Sequence, residues 1–171
     1  MPNVNFEARI ASPRDAQAIA AIYNKGIADR VGTFETEPRS SEQIAAWFDS
    51  RHPNVVVEDG TRIVAFASTS SYCGRPCYAA IAEFSVYVAR DRRGLGAGHV
   101  AMMALLEAAE AAEAAGFWKL LSRIFPENEA SRTLMAKVGF REVGIYERHG
   151  KLDGVWRDCV IVERLLGEAA G

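Results

Sequence analysis

Two stretches of the chain carry residues whose types and spacing could do chemistry. In AEFSVYV at 82–88, a single carboxylate, Glu83, interrupts an apolar run. Such a group is either one member of a structural ion pair or a base whose pKa burial lifts toward neutrality. Eleven positions on, RRGLGAG at 92–98 places Gly94, Gly96 and Gly98 at alternate positions behind two arginines. Glycines so close together let a backbone approach a ligand without intervening Cβ atoms. Phosphate is the usual candidate, because a helix N-terminus adds free N–H groups and a positive dipole end.

Three phosphate-binding patterns can be laid over this segment. A Walker loop needs Lys followed by Ser or Thr at its end, and neither is present. Gly96-Ala97-Gly98-His99-Val100-Ala101 fits the dinucleotide fingerprint, yet that motif wants an acidic residue about twenty positions later. The chain has LLSRIF there. The remaining pattern is Arg93-Gly94-Leu95-Gly96-Ala97-Gly98, R-x-x-G-x-G, and the alternative to all three is a ligand-free glycine turn.

Metal chemistry is not expected. Cys73, Cys77 and Cys159 make an odd count, and His52, His99 and His149 lack ligand-like spacing to them, which also argues against a disulfide framework.

These residues need positioning elements, and periodicity supplies them. Phe6–Ile10 alternates as a strand, and SPRD at 12–15 offers Ser12 as cap, Pro13 at the first turn and Asp15 as capping-box partner. A helix to about residue 30 should bury Ile19, Ile22, Tyr23 and Ile27. A short second helix, capped by Ser40 or Ser41, turns Ile44, Trp47 and Phe48 inward. VVVE and TRIVAFAS flank Asp59-Gly60, the signal of a two-residue antiparallel hairpin. In the strand that follows, Glu83, Ser85 and Tyr87 share one face and Phe84, Val86 and Val88 the other. The glycine segment opens a helix with Glu107, Glu110 and Glu113 on its wet face and Gly116 as its stop. FWKLLSRIF is a strand ended by Pro126. NEASRTLMAKVGF is a helix with Leu134, Met135 and Val138 inward and Gly139 closing it, and strands around EVGIYER and VWRDCVIVERL finish the chain.

The order is β-α-α-β-β-β-α-β-α-β-β. With 171 residues, 49% hydrophobic and 25% charged, it describes one α/β domain over 1–171 with a mixed sheet. A net charge of -2 disfavours non-specific nucleic-acid binding. No apolar window has membrane length, and MPNVNFEARIAS lacks the layout of a signal peptide, so a soluble cytoplasmic protein without a membrane partner is expected.

Placed after a strand and opening a long helix, Arg93–Gly98 resembles the acyl-CoA pyrophosphate loop of the GNAT superfamily of N-acetyltransferases. The resemblance spans nearly the whole chain. It is similar in particular to the phosphinothricin and methionine sulfone acetyltransferase group, through Tyr23-Asn24, Thr33-Phe34, Thr36-Glu37-Pro38, Arg75-Pro76 with Tyr78, Glu83 with Ser85–Val88, and Gly154, Trp156 and Asp158. The resemblance implies the GNAT fold, a twisted and mostly antiparallel sheet flanked by helices. It also implies acetyl-CoA as co-substrate, bound by Arg93, Gly94, Leu95, Gly96, Ala97 and Gly98, with the pantetheine arm between Val86, Val88 and the strand 117–125, near Asn128. Arg92 and Arg93 add charge for the phosphates.

Glu83 stands where related enzymes carry a catalytic glutamate, which implies direct attack by an amine that Glu83 deprotonates. A backbone N–H of the same strand would hold the oxyanion. Tyr87 and Tyr146 are candidates for a general acid by residue type alone. The implied acceptor is the α-amine of a small amino-acid analogue, with Arg75 gripping its carboxylate or phosphinate and Phe34 forming a wall. Departures at Ala79, Ala80, Phe84, Lys151 and Asp153 bear on that pocket. Homodimers are usual in the group, and the strand holding Trp156 could supply the contact. The alternatives are acetylation of a protein N-terminus or a polyamine, or a non-catalytic acyl-CoA-binding module.

Overall fold

A computed structural model describes residues 3–111 and 116–171. The elements run β1 (Glu7–Ile10), α1 (Ala16–Asp29), α2 (Ser41–Ala45), β2 (Asn54–Glu58), β3 (Ile63–Ser71), β4 (Ile81–Val88), α3 (Ala97–Ala111), β5 (Lys119–Ile124), α4 (Glu129–Lys137), β6 (Arg141–Leu152) and β7 (Val155–Leu165). This is the order the periodicities predict. Glu113, expected on the wet face of α3, lies outside the described residues, and Gly116, its expected stop, has a φ of +54°.

The seven strands form one sheet in the order β1-β2-β3-β4-β5-β7-β6, with β4 and β5 parallel and the other neighbours antiparallel. Helices cover both faces. Adjacent residues of a strand point to opposite faces. Tyr87 meets α1, where a Cβ on Gly26 would lie 2.6 Å from its ring, while Val88 meets Gly98 at the start of α3. Hence α1 lies on the face of Glu83 and Tyr87, and α3 on the other. Ile19, Ile22, Tyr23, Ile27, Ile44, Met135 and Val138 are buried as the helical patterns require.

Local chemistry sets the ends of the elements. Asp15 accepts from the Ser12 N–H at 2.8 Å and pairs with Arg9 through both oxygens, so the first turn is a short 3-10 segment ahead of α1. That arginine holds the Asp15 carboxyl below its ordinary pKa. Ser40 caps α2, with Gln43 reaching back to the Ser40 N–H at 2.9 Å.

The β2–β3 turn departs from expectation. It spans 59–62 as a four-residue loop, because Glu58 pairs with Ile63. The reason is Asp59, whose Oδ1 accepts from Thr61 N, Thr61 Oγ1 and Arg62 N and so organises a longer turn than Asp-Gly alone would make. Asp59 also accepts from Arg92 at 2.9 Å, and these donors, Thr61 foremost, keep its carboxyl well below the usual range.

Candidate active site

β4 and β5 pair for only three residues, Ile81–Glu83 against Lys119–Leu121. Past Glu83 the strands part, and Ser122 Oγ donates to Phe84 O at 2.8 Å across the opening. At the other, closed end of the pairing, Trp118 N donates to Ala80 O at 3.0 Å. Peptide groups of alternate residues face the same strand edge, so those of Val86 and Val88 face the cleft that β5 has left. Their side chains turn to the α3 side. Backbone donors and acceptors therefore line the cleft.

At the end of β4 the chain turns through 90–96 into α3. Gly94 and Gly96 have φ of +73° and +98°, a region that side-chain-bearing residues rarely occupy. A Cβ on either would meet nothing within 4 Å. The backbone here is open to an incoming ligand. Val100 N donates to Gly96 O at 3.1 Å, and the first amides of α3 ahead of it have no helical partner by position. Gly98 has a different role, since a Cβ there would lie 3.1 Å from Leu134 Cδ2; it lets α3 start tight against α4.

The arginines of this loop are fasteners. Arg93 pairs with Asp29 at 2.7 Å and donates to Val88 O at 3.2 Å, Arg90 pairs with the same Asp29, and Arg92 pairs with Asp59 and Asp91. Arg90, with Arg93, holds the Asp29 carboxyl below its ordinary pKa. Loop, α1 and the β2–β3 turn are thus bound together by charge.

Glu83 is half-buried on the α1 face, and its Oε1 lies 2.7 Å from Arg123 Nη1 on β5. Arg123 follows Leu121, the partner of Glu83, by two residues and so points to the same face. Beyond Arg123 on that face lies a small apolar floor of Phe125, Leu152, Cys159 and Ile161, with Phe34 packed on it. The Phe34 and Phe125 rings meet edge to face at 5.0 Å. Arg157 lies over Phe125 at 5.3 Å, its Nε buried without a partner among the described residues.

The loop bearing Phe34 is pinned at several points. Asn24 and Arg39 exchange two hydrogen bonds, Arg30 pairs with Asp153 at 2.9 Å, and Asn128 Nδ2 donates to Val31 O at 3.2 Å. Asn128 Oδ1 meanwhile caps α4 by accepting from Ser131 N. Asn128 is thus a cap and a tether. Asp153 closes the same loop.

Arg75 sits on the exposed β3–β4 connection, 5.7 Å from the Tyr78 ring, and lines a cleft of about 210 Å³ with Arg51, His52, Ser71 and Cys73. Ser71 pairs with Ala82 and Ser70 with Glu83, so the Ser71 side chain faces opposite to Glu83, and neither Glu83 nor Arg123 lines that cleft. A larger cleft of about 490 Å³ on the outer side of α3, lined by His99, Met103, Glu107 and Arg164, includes none of these residues. Size does not mark the site here; convergence of charge and open backbone does.

Tyr87 is packed against Tyr23 and Phe66, and burial, reinforced by Tyr23, pushes its phenol upward. It stays protonated at neutral pH and is a weak acid. Tyr146 is exposed on the edge strand β6. Among the described residues no group of three or more His, Cys, Asp or Glu side chains could hold a metal ion.

Sequence reasoning singled out Glu83 but passed over Arg123, because its strand, KLLSRI, carries two charges and neither stands out as the single carboxylate of β4 does.

Comparison with known proteins agrees with this geometry. The acetyltransferase (GNAT) domain family matches residues 7–141. Phosphinothricin N-acetyltransferase of Streptomyces coelicolor is 32% identical over 164 residues, 89% of this chain and 91% of its own. The L-methionine sulfoximine/L-methionine sulfone acetyltransferase of Pseudomonas paraeruginosa is 29% identical over 160 residues, 91% of each chain. A GNAT superfamily phosphinothricin acetyltransferase from Sinorhizobium meliloti, solved with acetyl-CoA, superposes with a TM-score of 0.85 at 27% identity, over 95% of this chain and 89% of that one.

Proposed function

Because the chain belongs to the GNAT acetyltransferase family and is an N-acetyltransferase of the phosphinothricin and methionine sulfoximine type, we propose that it moves an acetyl group from acetyl-CoA directly to the α-amine of a small amino-acid analogue. Phosphinothricin, methionine sulfone and methionine sulfoximine are the expected acceptors. The observation that carries this reading is the placement of Glu83 where β4 and β5 part, on the strand whose far end runs into the open glycine loop.

Residues 93–98 fit the coenzyme's pyrophosphate, because the loop offers backbone N–H groups and the Gly94 and Gly96 positions have no atoms crowding them. Val86 and Val88 present peptide groups to the pantetheine arm, and Asn128 holds the wall opposite. The bound coenzyme supplies an activated acyl carbon as its thioester.

An alkyl ammonium is almost wholly protonated at neutral pH and cannot attack until it loses a proton. Glu83 takes that proton, directly or through a water. A cleft-facing N–H of β4 holds the negative charge that develops on the acyl oxygen. Phe34 forms a wall of the acceptor pocket and Arg75 meets an anionic group of the acceptor from the β3–β4 loop. The leaving thiolate has no assigned acid.

The same reading makes the protein a cytoplasmic detoxification enzyme that confers resistance to such analogues. It works as a homodimer. Support for the dimer comes from β6, an edge strand, which with β7 exposes Val143, Ile145, Tyr146, Val155 and Trp156.

The test is thiol release from acetyl-CoA with phosphinothricin, methionine sulfone, methionine sulfoximine, polyamines and an N-terminal peptide as acceptors. Saturable turnover with one of the first three is expected. Turnover confined to polyamines or the peptide overturns the acceptor class, and coenzyme binding with no transfer to any amine makes the protein a binding module.

A further inference from the structure

The Glu83–Arg123 ion pair has the charge pattern of an amino acid in reverse. Resting on an α-amino acid as acceptor, we propose that Arg123 recognises the acceptor's α-carboxylate while Glu83 faces its α-ammonium.

The argument begins with spacing. An α-amino acid carries its two opposite charges on groups joined to one carbon, so the nitrogen and the nearer carboxylate oxygen lie about 3 Å apart by standard bond lengths. Glu83 Oε1 and Arg123 Nη1 are 2.7 Å apart. A zwitterion laid antiparallel on this pair satisfies both charges at once, ammonium on carboxylate and carboxylate on guanidinium.

Capacity and access agree with this. A guanidinium has five N–H donors, and in its recorded contact with Glu83 Arg123 uses Nη1. The Arg123 side chain is 38% exposed and that of Glu83 26%, so a solute can reach the pair. Rigidity favours Arg123 over Arg75 as the principal carboxylate partner. Arg123 is held on a strand bonded to β7 along its length, whereas Arg75 lies on an exposed loop. The apolar floor of Phe125, Ile161 and Phe34 beside Arg123 would then receive the acceptor's side chain.

The pair also rejects. A polyamine or a peptide N-terminus brings an ammonium without an adjacent carboxylate, so Arg123 would face an unmatched cation. Selection for free amino acids follows from one residue.

The experiment compares methionine sulfone with its decarboxylated amine, using the full chain, Arg123→Gln and Arg123→Lys, with acetyl-CoA as donor. In the unaltered protein the amino acid is the strongly preferred acceptor. Arg123→Gln should raise KM for methionine sulfone on the order of 10- to 100-fold, the loss of a charged hydrogen-bonded pair, with a much smaller change in kcat. KM for the decarboxylated amine should stay level or fall, and Arg123→Lys should recover part of the loss. An equal fall in kcat on both acceptors, unrescued by lysine, would overturn the inference and leave Arg123 a positioning residue for Glu83. An unaltered protein that accepts the decarboxylated amine as readily as the amino acid also overturns it, with the acetyltransferase reading intact. Transfer to neither acceptor overturns both.

Discussion

In the proposed site, backbone makes the donor half and side chains the acceptor half. On the donor side, peptide groups of β4 face the opening beside β5, and two glycines with positive φ expose the loop at its end. The side chains there, Arg90, Arg92 and Arg93, fasten the loop to Asp29 and Asp59. On the acceptor side, Glu83, Arg123, Phe125, Cys159 and Phe34 come from β4, β5, the residue following β5, β7 and the loop after α1. In this reading one half recognises a constant ligand with groups that every residue possesses. The other can change its substrate by changing single side chains without disturbing the fold.

This contrast can be broken from either side. Of two glycine substitutions, the one with the larger expected effect is on the donor side. Gly96→Val puts a β-branched residue at φ +98°, where it is strained, and fills the open space above the loop. Acetyl-CoA affinity measured by calorimetry should fall on the order of 10- to 100-fold, with KM for the acceptor nearly unchanged. Unaltered coenzyme affinity would show that the loop is only a turn.

A smaller effect is expected on the acceptor side. A Cβ on Gly150 would lie 2.8 Å from the Phe34 ring, so Gly150→Ala must displace that ring from Phe125. KM for the acceptor should rise severalfold, coenzyme affinity should hold, and thermal melting should report a loss of roughly 1–3 kcal/mol. Equal changes in both affinities would mean that the two halves are coupled.

The same division explains what was legible in the sequence. The glycine loop could be found because its backbone geometry demands glycine, and a demand on residue type leaves a local pattern. The element order was equally plain, since helical and strand periodicities in this chain rarely compete, and VWRDCVIVERL proved to be β7 from end to end. Arg123 was hidden because its importance depends on β5 lying beside β4, a pairing between residues 40 positions apart. Asn128 itself was found, but its contact 97 residues away at Val31 was hidden for the same reason. The turn at 59–62 misled because Asp59 bonds three neighbouring donors, a side-chain effect that the Asp-Gly pair does not announce. Arg92 and Arg93 read naturally as phosphate partners beside the glycines; their acidic partners, Asp59 and Asp29, sit far back in the chain.

The central claim is that coenzyme is held by the backbone of β4 and its loop while Glu83 acts on the acceptor. The most direct measurement is Glu83→Gln, with acetyl-CoA affinity by calorimetry and thiol release with the best acceptor taken on the same preparation. The account predicts turnover lower by about 100- to 10,000-fold, the usual contribution of a general base, at unchanged coenzyme affinity. Turnover equal to that of the unaltered protein would contradict it.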